Sequence, residues 1–176
     1  MRRSTSVRKD DFFGTPTDCT EALLQNISCF DYEKTWEPCC GKGAISKVLK
    51  KYGSTVESTD LVGRGFGQAR IDFLMERDLR APSIITNPPF KLADQFIVHA
   101  LRNLNAPFLA LFLKSTYFHA ERRRELFYKH QPSLILAMAW RPDFIGGGAG
   151  TMDCCWFVWK RGNDSSTKYR VIGRTE

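Results

Sequence analysis

Apolar positions change period along this chain, and each change marks the end of one element and the start of another. Thr35 to Pro38 reads as a short strand that runs into a glycine turn. Ile45, Val48, Leu49 and Tyr52 then recur at helical spacing, with Lys47, Lys50 and Lys51 on the other face and Gly53 where a left-handed C-terminal residue is wanted. Thr55 to Thr59 predicts a second strand, closed by Asp60, and Arg70 to Leu74 a third that ends at Asp72-Phe73. The short apolar run Ser83 to Thr86 stops at Asn87-Pro88-Pro89-Phe90. Leu92, Phe96, Ala100, Leu101 and Leu104 fit a helix over 91–104, and the unbroken apolar character of 107–113 fits a buried strand. A basic helix over 119–130, with Leu126 and Phe127 as a partial apolar stripe, leads to a strand over 133–139 and a last one over 154–159. A helix through Leu23 and Leu24 precedes them all.

Strands that alternate with helices predict one doubly wound α/β sheet, mostly parallel and seven-stranded. With 176 residues, 43% of them hydrophobic, the chain is expected to form a single domain with a real core. Residues 1–10 read as a basic flexible N-terminus, 11–161 as the catalytic domain, and 162–176 as a polar, disordered C-terminal tail. Trp140 to Ile145 and the glycines from Gly146 to Gly150 form a loop at the sheet's rim. Arg2 and Arg3 are followed by polar residues instead of an apolar stretch, so no secretory start or membrane span is expected and the protein is placed in the cytoplasm. Neither the six cysteines nor His99, His119 and His130 show metal-ligand spacing, so no metal is assigned and the thiols are expected to be reduced.

The chemistry concentrates after the predicted strands. Two adjacent prolines fix φ and remove two backbone donors, which leaves the carbonyls around Asn87 and Pro88 free to accept. That suits an exocyclic NH2 group conjugated to a ring, with Phe90 stacking on the ring. Asn-Pro and Pro-Pro are also ordinary turn signals, so the weight of the tetrapeptide comes from what lies upstream. Gly41 and Gly43 occupy the first βα turn, where glycines allow close backbone approach. The third glycine of a dinucleotide fingerprint is missing, and no Lys-Ser/Thr pair marks a phosphate loop. Glu37 in that turn would repel a pyrophosphate and attract a cation. Asp60, about 20 residues beyond the glycines, stands where an acid takes a ribose diol.

With these markers the chain resembles the class I S-adenosylmethionine-dependent methyltransferases. Within them it is similar to amino-methyltransferases acting on adenine N6, such as those of bacteriophages and prophages. The resemblance implies an antiparallel last strand. It implies that Glu37, Pro38, Cys39, Gly41 and Gly43 form the cofactor loop, that Asp60 and Leu61 hold the ribose side, and that Asp72 and Phe73 hold the cofactor's adenine. Thr15 and Pro16 would approach the methionine moiety, in the gamma-type motif order, and Asn87 to Phe90 would be catalytic, with Asn87 also beside the cofactor.

A formal net charge of +7 asks for a polyanionic partner, and nucleic acid, above all double-stranded DNA, is the expected one. Arg122, Arg123, Arg124, Arg141 and Lys114 are the candidate phosphate contacts, together with Arg2, Arg3, Arg8, Lys9, Lys160 and Arg161. Tyr117, Phe118, Trp140 and Phe144 are the candidate stacking residues. Adenine or guanine amino groups in RNA remain alternatives, as does a non-catalytic binding module that keeps the fold. The interval from Phe90 to Cys154 is too full of elements for a separate target-recognition domain, so loops 114–124 and 140–152 are expected to read a short or relaxed site.

Overall fold

Two long strands carry apolar side chains on both faces, and they set the middle of the molecule. In the computed structural model, which describes residues 14–148, 150, 152–162 and 166–174, these are β5 (Phe108–Lys114) and β7 (Cys154–Lys160), antiparallel to each other. Side chains alternate across a strand. Leu109, Leu111, Leu113, Cys155, Phe157 and Trp159 therefore join one core cluster, and Phe108, Ala110, Phe112, Cys154, Trp156 and Val158 the other.

The full sheet has eight strands in the order β3-β2-β1-β4-β5-β7-β6-β8. The others are β1 (Lys34–Glu37), β2 (Thr55–Asp60), β3 (Gln68–Ala69), β4 (Ser83–Thr86), β6 (Leu134–Met138) and β8 (Lys168–Ile172). All run parallel except β7, which pairs antiparallel with both β5 and β6. Helices α1 (Thr17–Leu24) and α2 (Ala44–Lys51) pack on one face through Leu23, Ile45 and Leu49. The other face takes α3 (Ala93–Val98) and α4 (Arg124–Lys129) through Phe96, Ile97, Leu126 and Phe127. The expected doubly wound α/β architecture is thus present, with the antiparallel strand as implied and one strand more than the seven predicted.

Four local expectations are corrected. The segment 70–74 is not a strand, and the third strand is Gln68–Ala69 just ahead of it, because Arg70 takes a left-handed φ of 63° and the Asp72 side chain accepts the Leu74 amide to start a 3-10 turn over Phe73–Met75. The helix expected over 91–104 is α-helical to Val98 and widens into a π-turn over His99–Asn103. The basic helix begins only at Arg124, since Ala120 is extended and 3-10 turns cover Ser115–Phe118 and Glu121–Arg123. The tail beyond Gly162 is not structureless, because Lys168–Ile172 adds to β6 as a parallel strand. Residues 1–10, with Arg2, Arg3, Arg8 and Lys9, lie outside the described residues. No helix among the described residues is long and apolar enough to cross a membrane.

Candidate active site

The sheet's strand order reverses between β1 and β4, and the carboxyl ends of β2, β1, β4 and β5 therefore open side by side at one edge. Their end residues follow the same spatial order: Asp60 closes β2, Glu37 closes β1, Asn87 follows β4, and Lys114 closes β5. All four line one cleft of about 450 Å³, in the usual range for a ligand site. Thr15, Pro38, Cys39, Leu61, Asp72 and Phe73 line it too, with Pro88, Pro89 and Phe90 of the tetrapeptide.

Asn87 Nδ2 donates to Thr15 Oγ1 at 3.1 Å, which fixes the amide and leaves its Oδ1 as the acceptor. The buried Thr15 comes from the segment just ahead of α1, so a contact spanning 72 residues aims the key side chain. Pro89 spends its carbonyl on the Leu92 amide at 2.9 Å, whereas the Pro88 carbonyl takes no donor among the described residues. Pro88 is buried and Phe90 half-buried, and Lys114 Nζ sits 5.4 Å from the centre of the Phe90 ring, within cation–π range.

Asp60 organises the other end. Its Oδ2 accepts the Gly41 amide and its Oδ1 the Val62 amide, both at 2.8 Å, so each carboxylate oxygen keeps acceptor capacity. Gly41 makes this possible with φ 54°. Leu61, 59% exposed, and Val62 present apolar surface beside the carboxylate. Glu37 behaves differently from the free turn carboxylate of the sequence reading. It is buried, its Oε2 accepts both the amide (2.8 Å) and the hydroxyl of Ser46 in the first turn of α2, and that hydroxyl lies 2.6 Å from Ser58 Oγ. Burial raises its pKa to about 8, against the pull of the Ser46 bonds, and the Asp60 charge adds to the rise. Glu37 therefore ties the start of α2 to β1 and carries a proton across much of the neutral range.

Several predicted residues have other tasks. Gly43, at φ 81°, is the residue before α2, and a Cβ there would meet the Phe66 ring at 2.6 Å; it makes room for a protein ring and does not line the cleft. Phe73 is 3% exposed and stacks on Phe96 at 4.5 Å, with Trp36 at 5.2 Å, so its ring belongs to the core and reaches the cleft only at its margin. Pro16 stands directly before α1 and is half-buried. Tyr117 is buried under the Arg123 guanidinium, 3.9 Å from its ring centre, and cannot stack on a base there. Arg124 pairs with Glu121 and Arg141 with Asp153, both on the surface, and Arg122 is exposed. Of the four aromatic candidates only Phe144 lines the cleft; Trp140 packs on the core, and Phe118 packs on Phe127 and Phe157.

Ser46, Phe66, Val62 and Met152 went unnoticed in the sequence. Only Ser46 had a readable cue, as a hydroxyl in the first turn of the helix that follows the acid. Cys39 and Cys40 line the cleft as unbridged thiols, and burial raises both pKa values, the second to about 12. Among the described residues no three His, Cys, Asp or Glu side chains gather as metal ligands.

No protein-family model matches the sequence, and no curated protein matches it. Solved structures do. A protein from Vibrio vulnificus named as the modification subunit of a type I restriction enzyme superposes with TM-score 0.65 at 14% identity, over 97% of this chain and 49% of its own. One from Pyrococcus horikoshii named as an RNA methyltransferase gives 0.65 at 15%, over 84% and 85%. A protein from Lactococcus lactis named as a hemolysin gives 0.60 at 12%, over 88% and 90%. The chain spans about half the length of the modification subunit and most of the other two. At these identities the likeness is one of fold, the Rossmann-like α/β arrangement of a mostly parallel sheet between helices.

Proposed function

We propose that the protein transfers a methyl group from S-adenosylmethionine to the N6 amino group of adenine in DNA, at a short or relaxed recognition sequence. The observation that carries this reading is the pair of acceptors, Asn87 Oδ1 and the Pro88 carbonyl, beside the Phe90 ring in the cleft that also holds Asp60. Two acceptors match the two hydrogens of an exocyclic amine.

The cleft's residues fit the cofactor. Asp60 offers remaining acceptor sites for a diol, Leu61 and Val62 offer exposed apolar surface for an adenine ring, and Asp72 borders the same end. When bound, S-adenosylmethionine supplies an electrophilic methyl on sulfonium. The target base is turned out of the helix or already unpaired, because its N6 cannot enter the cleft from within a stack. Phe90 stacks on it. Asn87 Oδ1 and the Pro88 carbonyl accept from N6 and localise its lone pair, so that alignment and fixed dipoles provide most of the acceleration. The methylated nitrogen loses its proton to water, and no strong base is required.

RNA is the second substrate considered, and one observation favours it: the match to the RNA methyltransferase runs nearly end to end on both chains, whereas the modification subunit is twice as long. A transfer assay with labelled cofactor on DNA, RNA and protein in parallel separates these readings. Asn87→Ala should abolish transfer while cofactor affinity stays within a few fold, and near-normal turnover in that variant would refute the clamp.

A further inference from the structure

Arg122 and Arg123 stood out in the sequence as part of a basic run, but the fold separates them from Arg124 and brings them against a different element. They line a groove of about 560 Å³ between α4 and the π-turn that extends α3, and Arg102, Lys129, His99 and His130 line it with them. Of the groove's carboxylates, Glu125 pairs with Lys129 within the groove at 2.6 Å, and Asp94 Oδ1 accepts the Gln95 amide. Among the described residues no carboxylate pairs with Arg102, Arg122 or Arg123. Burial, and after it the neighbouring charges of Arg102 and Lys129, hold the His130 pKa below its ordinary value.

Two buried donors on the groove's lining residues also lack acceptors. The His99 ring accepts from Asn103 Nδ2 at its Nδ1, 3.0 Å away, so its Nε2 carries the hydrogen, and that buried atom has no partner. Arg123 gives Nη1 to the Tyr117 carbonyl at 2.8 Å, yet its buried Nε has none. Buried donors are normally satisfied, and an acceptor-rich anion is what this lining lacks. Leu74 borders both the groove and the cleft, and the Phe73 ring that underlies the cleft meets His99 edge-on at 5.0 Å.

We propose that this groove carries the phosphodiester backbone of the substrate strand on one side of the target nucleotide, as a direct continuation of the cleft past Leu74. The proposal rests on the nucleic-acid reading above and adds the strand's path, with Arg102 and Arg122 as its exposed phosphate contacts. Neither belongs to the catalytic cleft.

The test is binding of labelled single-stranded DNA and RNA of one sequence, followed by fluorescence anisotropy across a range of NaCl concentrations. Neutralising two phosphate contacts in Arg102→Ala/Arg122→Ala should reduce the slope of log K against log salt by about 1–2. Lys34→Ala/Lys50→Ala removes the same charge from the start of β1 and from α2 on the other face, and its slope should match the unaltered protein. Equal slopes for the arginine variant and the unaltered protein, or equal losses in both double variants, overturn the groove. Methyl transfer by the unaltered protein is measured alongside. Its absence would sink the catalytic reading, while the slopes judge the groove on their own.

Discussion

Replacing Glu37 by glutamine isolates one buried proton. Glu37 is 2% exposed, and its carboxyl pKa stands at about 8 against an ordinary 4.5. The folded chain therefore keeps a proton that the unfolded chain releases between those values, and the contribution of this group to stability falls as pH rises from about 4.5 and is gone above about 8. At about 1.4 kcal/mol per pH unit, the separation corresponds to roughly 5 kcal/mol. With a urea dependence of about 1–3 kcal/mol/M, this contribution moves the unfolding midpoint by about 2–5 M across the window. Glutamine has the shape of the protonated acid and can still accept from Ser46, but it never becomes charged. Urea unfolding of both proteins at pH 5, 7 and 9 should give similar midpoints at pH 5 and a midpoint for Glu37→Gln that is progressively higher than wild type above it. A difference between the two that stays constant from pH 5 to pH 9 would refute the buried-proton argument, and Glu37 would then be an ordinary carboxylate.

Asp60→Ala removes the acceptor for the Gly41 and Val62 amides as well as the one offered to a ribose diol, so cofactor affinity by calorimetry should drop about tenfold or more, in line with the loss of a charged hydrogen bond. Unchanged affinity would mean that the diol is held elsewhere. Phe73→Ala should cost about 3–5 kcal/mol in chemical unfolding, because the ring is enclosed by Trp36, Phe96 and His99. A variant that keeps its stability and loses only cofactor binding would return Phe73 to the role the sequence proposed.

Strand ends were readable because hydrophobic runs stop where chemistry starts. Ser83 to Thr86 is fully buried and Asn87 is not, whereas Glu37 is buried like Thr35 and Trp36 before it and β2 alternates up to Asp60, so those two candidate residues were legible as acids that close predicted strands. Contacts between distant segments were not readable. Nothing near Gly43 announces that Phe66, 23 positions on, will lie against it, so a glycine needed for packing looked like one needed for a ligand. Phe73 and Tyr117 share this difficulty, since an aromatic beside a site residue reads the same whether its ring points outward or into the core. β8 failed for a different reason: its Tyr169 and Val171 are exposed and only Ile172 of its five residues is buried, so its short apolar pattern did not stand out from a polar tail. The bond from Asn87 to Thr15 was legible in part, since the resemblance placed both near the cofactor but not against each other.

β8 also changes what β6 offers to other molecules. Its parallel pairing occupies the outer hydrogen-bonding side of Leu134–Met138, an aliphatic stretch that would otherwise be a template for stray chains. The new margin carries Lys168 and Arg170, whose like charges discourage a second copy from aligning there. A weakly apolar segment that contributes little to the interior thus serves as a guard against self-association, a protective duty separate from anything the cleft performs.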